Sequence, residues 1–164
     1  MTSGAKQPVQ QLVQQLVTFR LGDDQFAVDI LQVERVLRFS APAAVPNLPA
    51  WIDGVIDHGG RVVPVIDLRT RFGLPRLEPR PEHRILVLAI GEEWLGVTVD
   101  SVHEVMSASP EEIAPPPPFF RGLNAEYLKG LVRRDGLLII FLDVARVLTS
   151  SELLELTSAA APNG

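Results

Sequence analysis

Three histidines, His58, His83 and His103, are the side chains in this 164-residue chain best suited to proton transfer or metal binding near neutral pH. Their spacing serves neither. None forms a helical i, i+4 pair with a second ligand. Asp57 precedes His58, but neighbours on a strand point to opposite faces and cannot share a proton. Cysteine is absent, which removes disulfides, thiol nucleophiles and thiolate metal sites. No Gly-x-Ser-x-Gly elbow and no phosphate-binding glycine loop occurs. Arg69, Arg71, Arg76, Arg80 and Arg84 make one stretch locally basic, yet Phe72 is the sole aromatic platform among them for stacking a base. Glu78 and Glu82 turn that stretch into a solvated mixed-charge linker, and the net charge of −5 opposes broad capture of nucleic acid or of an anionic membrane surface. No catalytic centre, metal site or cofactor site is expected. A nucleic-acid-binding barrel protein stays as the alternative from another class, to be recognised by salt-dependent retention on DNA. An enzyme would be recognised by turnover without added proteins.

The elements that would position any functional surface are β-strands. Between Trp51 and Phe72, apolar runs at Ile52–Ile56 and Val62–Ile66 flank Gly59-Gly60, a pair able to take positive φ at both centres of a tight turn. Asp67 then precedes Leu68 to Arg71, placed to cap a short helix. The same unit recurs. Gly54, Gly60 and Asp67 match Gly130, Gly136 and Asp143, each 76 positions on (130 − 54 = 76). An earlier pair of runs, on either side of Gly22, matches the pair around Gly91 at a shift of 69 (91 − 22 = 69), with Val28, Val33 and Val36 meeting Val97, Val102 and Val105. Two blocks in one order imply an internal duplication. The seven extra residues (76 − 69 = 7) fall in the loop 107–126, which holds Pro115 to Pro118.

Residues 1–15 read as a flexible arm, 16–72 as the first half, 73–84 as a Pro-rich linker, 85–158 as the second half with a C-terminal helix, and 159–164 as a tail, with strands free to exchange between halves. Capping boxes stand at Ser109–Glu112 and Thr149–Glu152. Leu153, Leu154 and Leu156 give the final helix its apolar face. Without a signal core or a run of ~20 apolar residues, the chain is expected to be soluble and cytoplasmic.

The ordered set Phe19, Phe26-Ala-Val-Asp-Ile30, Val33, Val36, Pro46, Pro49-Ala-Trp-Ile-Asp-Gly54-Val-Ile, Gly60, Val63-Pro64-Val-Ile-Asp67-Leu-Arg69 resembles the CheW-like chemotaxis adaptor family. The similarity continues through Gly96-Val-Thr-Val-Asp-Ser-Val102, Glu104-Val105 and Glu126-Tyr127-Leu-Lys-Gly130-Leu, covering about residues 16–156. The resemblance implies a mainly β fold of two side-by-side SH3-like five-stranded barrels with short helices. It also implies a non-enzymatic adaptor, without cofactors, that couples the regulatory domain of a CheA-type histidine kinase to the cytoplasmic tip of methyl-accepting chemoreceptors, at membrane-associated arrays. Carried onto this chain, Val33, Ile52, Gly54, Ile56, His58 and Gly59 become candidate receptor-binding residues at a seam between barrels, where Gly54 would permit close backbone approach. Arg35, Phe119 and Phe120 become candidate kinase-binding residues. Two positions depart from the family. Asp57-His58-Gly59-Gly60 stands where it usually has Asn-Leu-Arg-Gly, and Val33-Glu34-Arg35 where it usually has Val-x-Glu. A divergent adaptor of a pilus-type or other non-flagellar pathway is the corresponding alternative.

Overall fold

The structure is a computed structural model that describes residues 13–120, 123–149, 151, 152 and 154–156. Among the described residues, alternating and continuous apolar runs become thirteen strands: β1 (Gln14–Leu21), β2 (Asp24–Asp29), β3 (Val33–Arg38), β4 (Gly54–His58), β5 (Arg61–Asp67), β6 (Arg84–Ile90), β7 (Glu93–Val99), β8 (Ser101–Ala108), β9 (Ile113–Ala114), β10 (Phe119–Phe120), β11 (Leu123–Asn124), β12 (Leu128–Arg134) and β13 (Leu137–Leu142). One short helix, α1 (Leu68–Arg71), follows β5. Strand β1 begins at Gln14 and so takes up Gln14 and Gln15, which the sequence reading left in the arm.

The strands form one sheet of five, ordered β3-β6-β7-β5-β4, one of six, ordered β8-β1-β2-β13-β12-β9, and the small pair β10-β11. Replacing each strand by its equivalent in the other repeat turns β3-β6-β7-β5-β4 into β8-β1-β2-β13-β12. The two sheets are therefore the same construction, and each draws strands from both halves of the sequence. The crossing happens after β2, where a 3-10 turn at Ile30–Gln32, capped by Asp29 accepting the Leu31 N–H at 2.9 Å, redirects the chain to pair β3 with β6. In the other direction β8 pairs with β1. Parallel pairing of β2 with β13 and of β5 with β7 completes each sheet.

Among the described residues three apolar clusters follow from this exchange. The largest takes residues from both sheets, Phe19, Phe26, Leu86, Leu95, Val97 and Ile140 among them. Rings continue through it, with centroids of Phe19 and Phe26 5.7 Å apart, Phe26 and Phe72 5.8 Å, and Phe72 and Tyr127 5.8 Å. Smaller clusters belong to single sheets: Leu16, Ala27, Met106, Val132 and Phe141 in one, Val63, Val65, Ile85 and Val87 in the other. Because the main core is shared, neither sheet can be opened without exposing the other's apolar face.

Both capping boxes form. Glu112 accepts the Ser109 N–H at 2.8 Å, and Glu152 accepts the Thr149 N–H at 2.9 Å while Thr149 Oγ1 accepts the Glu152 N–H at 3.2 Å. Residues 151, 152 and 154–156 are helical, with Leu156 fully buried. Leu153 and everything after residue 156 lie outside the described residues. Among the described residues no helix is long and apolar enough to cross a membrane.

Candidate protein-docking surface

The turn of the β4–β5 hairpin is built by Gly59 and Gly60, whose φ angles of 60° and 82° are the left-handed values that both centres of such a turn require. Asp57 Oδ1 accepts the Gly60 N–H at 3.1 Å and fixes the turn from below. His58 and Arg61 face each other across it, and both rest on Trp94. The His58 and Trp94 rings lie 5.6 Å apart, and the Arg61 guanidinium sits 3.9 Å over the Trp94 ring while donating to the Glu92 carbonyl at 3.2 Å. This arrangement holds a cation and an imidazole at an exposed tip. Ile56 packs inward against the cluster of Val63 and Val65.

Gly54 lies at the other end of β4 and is buried. A Cβ there would stand 2.6 Å from the Ala43 carbonyl oxygen and 2.8 Å from Pro42 Cβ. The close approach that glycine allows is made by the chain itself, since Ala43 and Val55 exchange both backbone hydrogen bonds at 2.8 and 2.9 Å. Ile52 is buried as well. These two positions shape the surface from beneath and offer no side chain to a partner.

Strand β3 ends the same sheet on its far side. Val33 packs partly on the shared core, a register shift separates it from Arg35, and Glu34, Arg35 and Val36 are exposed. Just before β3, Leu31 stands 87% exposed. Phe119 and Phe120 form β10, paired with β11, and their side chains lie outside what is described. The candidate residues thus fall on two terminal strands, at Ile52 on the approach to one of them, and on one small hairpin.

Sequence reasoning missed an ion-pair system joining the sheets. Arg69, on α1, meets Asp100 at 2.6 Å with both side chains nearly buried, and Asp100 also accepts the Gly22 N–H at 2.7 Å. Arg69 Nε donates to the Pro75 carbonyl at 2.7 Å. Arg76 holds both Asp53 carboxylate oxygens at 3.1 and 3.2 Å and approaches Asp67 at 3.5 Å, and its hydrogen bond to Asp53 keeps its pKa above the usual arginine value. Arg71 grips Glu152 through two nitrogens. Arginines 69, 71 and 76, read above as part of a solvated linker, are therefore corrected to structural groups. A guanidinium supplies several donors in a fixed plane, so it can satisfy a carboxylate and a carbonyl together. Phe39 and Leu77 line an open cleft of about 680 Å3 together with Asp53, Arg69, Arg76 and Asp100 of this network. Among the described residues no three acidic or histidine side chains gather as metal ligands.

The family model of the CheW-like domain matches residues 15–152. The chain belongs to the CheW-like family. It is 33% identical over 140 residues to the chemotaxis protein CheW of Klebsiella aerogenes, covering 85% of this chain and 84% of that protein. It is 31% identical over 148 residues to the chemotaxis protein CheW of Treponema pallidum, covering 88% and 87%. Among solved structures it is similar to the scaffolding protein TtCheW from Thermoanaerobacter tengcongensis, with TM-score 0.75 and 29% identity over 83% of this chain and 88% of that one. The mainly β architecture in two sheets is thus that of a CheW-like protein. Gly59 and Arg35, the two positions at which the resemblance above implies a departure, are exposed, one at the β4–β5 tip and one on β3. The ion-pair system was invisible in the sequence because its partners are 31, 23 and 81 positions apart and no periodicity links them.

Proposed function

We propose that this chain is a non-catalytic chemotaxis adaptor that couples the regulatory domain of a CheA-type histidine kinase to the cytoplasmic tips of methyl-accepting chemoreceptors. The observation that carries the reading is the match of a CheW-like domain to nearly the whole chain, with relatives named as chemotaxis proteins over more than four fifths of their length. In this reading β4 and its approaches receive the receptor: His58 and Gly59 contact it, while Val33, Ile52, Gly54 and Ile56 set the shape beneath. Arg35, Phe119 and Phe120 meet the kinase. Work is done in the cytoplasm beside membrane-associated receptor arrays. An adaptor needs exposed edges and no reaction centre, and terminal strands with unpaired backbone groups supply such edges.

The test is co-sedimentation with receptor-containing membranes, with and without the kinase, together with kinase autophosphorylation. Co-sedimentation and a changed phosphorylation rate are expected. A chain that stays in the supernatant and leaves the kinase unaffected would sink the assignment. Gly59 in place of the family's turn arginine favours a second reading, an adaptor of a divergent, non-flagellar array whose receptor offers that arginine no partner. It predicts that Gly59→Arg weakens binding to the cognate receptor rather than strengthening it.

A further inference from the structure

The ion pairs beside α1 leave polar atoms over, and those atoms open on one cleft. Asp67 and Thr98 are register partners in β5 and β7, and Asp100 stands two residues beyond Thr98, where an extended chain returns to the same face. Asp100 Oδ2 takes both Arg69 at 2.6 Å and the Gly22 N–H at 2.7 Å, which leaves Oδ1 without a protein partner. Thr98 Oγ1 has none either. His83 Nδ1 accepts the Arg80 N–H at 3.4 Å, so the ring proton is assigned to Nε2, and that nitrogen is unpartnered. Asp100 and His83 are each only 6% exposed. Among the described residues Gln32 Oε1 is the sole side-chain oxygen or nitrogen cut off from solvent and partner alike. The free atoms of Asp100, Thr98 and His83 therefore reach solvent, and all three residues line the cleft of about 680 Å3.

The charge of the lining is not balanced. Asp53, Asp67, Glu78 and Asp100 outnumber Arg69 and Arg76 by two (4 − 2 = 2). Phe39, Pro42, Leu77 and Pro79 add apolar surface. A metal ion needs several oxygen or imidazole ligands gathered together, which the described residues do not provide. An organic cation on an apolar stem meets the same demands, and guanidinium on carboxylate is the pairing the cleft already holds, Arg69 on Asp100 and Arg76 on both oxygens of Asp53. We propose that the cleft binds a basic side chain presented by a peptide segment of a partner protein. The cation lies at Asp100 Oδ1 and Thr98 Oγ1, its stem rests on Phe39 and Leu77, and a main-chain carbonyl of the segment accepts from His83 Nε2. The site goes beyond the adaptor reading, since His58, Gly59 and Arg35, which that reading gives to receptor and kinase, line no part of it.

The test follows backbone amide resonances of the full-length chain during titration with three probes: N-acetyl-arginine methylamide, the matching uncharged citrulline compound, and guanidinium ion alone. The arginine compound is expected to shift the Leu77, Thr98 and Asp100 amides with a dissociation constant of about 1 mM. The other two probes should bind about tenfold more weakly. No shift with the arginine compound at about 20 mM overturns the site. Equal binding of the citrulline compound overturns the charge argument, and equal binding of guanidinium overturns the peptide as source. Asp100→Asn would strip Arg69 of its counter-ion and destabilise the fold, so the variants are Thr98→Val and Glu78→Gln, each checked by its urea midpoint. Thr98→Val is expected to weaken the arginine compound about tenfold and Glu78→Gln about threefold. Unchanged affinity in both folded variants puts the compound elsewhere and overturns the proposal. Neither receptor nor kinase enters these measurements, so the co-sedimentation result stands or falls separately.

Discussion

The β4–β5 and β12–β13 hairpins are two copies of one device that have been put to different uses. Both have a turn with two left-handed residues, Gly59-Gly60 in one and Asp135-Gly136 in the other. Each places an aspartate at the following cap, Asp67 accepting from Arg69 and Asp143 from Ala145. Each has a glycine under a crossing segment, Gly54 beneath Pro42-Ala43 and Gly130 beneath Ile113-Ala114. The outer edges differ. β12 is covered by β9 through two residue pairs, backed by the Glu112 carboxylate on Arg134 at 3.1 Å, whereas β4 has the single bridge of Val55 to Ala43. Pro42 stands where Ile113 stands, and a residue that cannot donate to a ladder ends the pairing there. What the fold needs has been kept in both copies. What a partner could read has been left open in one.

The largest expected break in the equivalence is at Arg69, whose counterpart is Ala145 (69 + 76 = 145). Arg69→Ala would leave Asp100 nearly buried without its cation, at a cost of about 3–5 kcal/mol. Urea denaturation should show the midpoint falling steeply, while Arg146→Ala, at an exposed residue one position from Ala145, stays within about 0.5 kcal/mol of the unaltered chain. Equal midpoints for the two variants would mean that the Arg69 and Asp100 pair contributes nothing to joining the sheets.

Next come the crossing points. A Cβ on Gly130 would meet Ile113 Cγ2 at 2.5 Å and the Ala114 carbonyl at 2.7 Å, and one on Gly54 would meet Ala43 and Pro42 almost as closely. Overpacking of this kind costs about 1–3 kcal/mol. The more firmly paired β9 cannot retreat as Pro42-Ala43 can, so Gly130→Ala should lose more stability than Gly54→Ala. The order bears on function as well. Any loss of receptor binding in Gly54→Ala has to be read against Gly130→Ala, which carries the same kind of strain in the other sheet.

Duplication, turn glycines and capping aspartates were legible in the sequence because each is a local demand on one residue type. A positive φ asks for glycine, and a free helical N–H asks for a short acid. The seven-residue insertion was legible as well, and it falls in the loop that also holds β9, β10 and β11. That strands could exchange between halves was legible, but not which ones do, since β3 would show the same apolar pattern whether it paired with β6 or with β2. The partners of Arg69, Arg71 and Arg76 were hidden for the same reason. Arg35 and Gly59 stood out only as departures from a family pattern, and nothing in their own neighbourhood marks them as contacts.

Arg71 and its counterpart Val147 offer a pH-dependent version of the comparison. Burial pushes the Glu152 carboxyl up, but hydrogen bonds from Arg71 and from the Thr149 N–H outweigh it and hold the group below its ordinary value of 4.5. A carboxylate with a lowered folded-state pKa stabilises the fold above its unfolded value and loses that contribution as pH falls through the folded one. Glu152→Gln should therefore cost about 1–2 kcal/mol at pH 7. The gap between variant and unaltered chain should narrow as the pH drops below 4.5, as followed by urea midpoints. A constant gap across that range would show that the charge of Glu152 is not what ties the helix to α1.

The smallest effect separates the two tasks of the turn. Asp135 has φ of 53°, a conformation in which glycine is less strained, so Asp135→Gly should raise stability by less than about 1 kcal/mol. Gly59 has φ of 60° and no atom within 4 Å of where a Cβ would stand, so Gly59→Arg should cost about 1 kcal/mol from backbone strain alone and clash with nothing. The arginine would stand one residue from His58 and two from Arg61, in the position where the family usually carries one. If urea midpoints shift by these small amounts while receptor co-sedimentation changes several-fold, the tip is a recognition element whose backbone tolerates either residue. If stability and binding move together, or neither moves, Gly59 serves only the turn, and the open edge of β4 has to carry recognition without it.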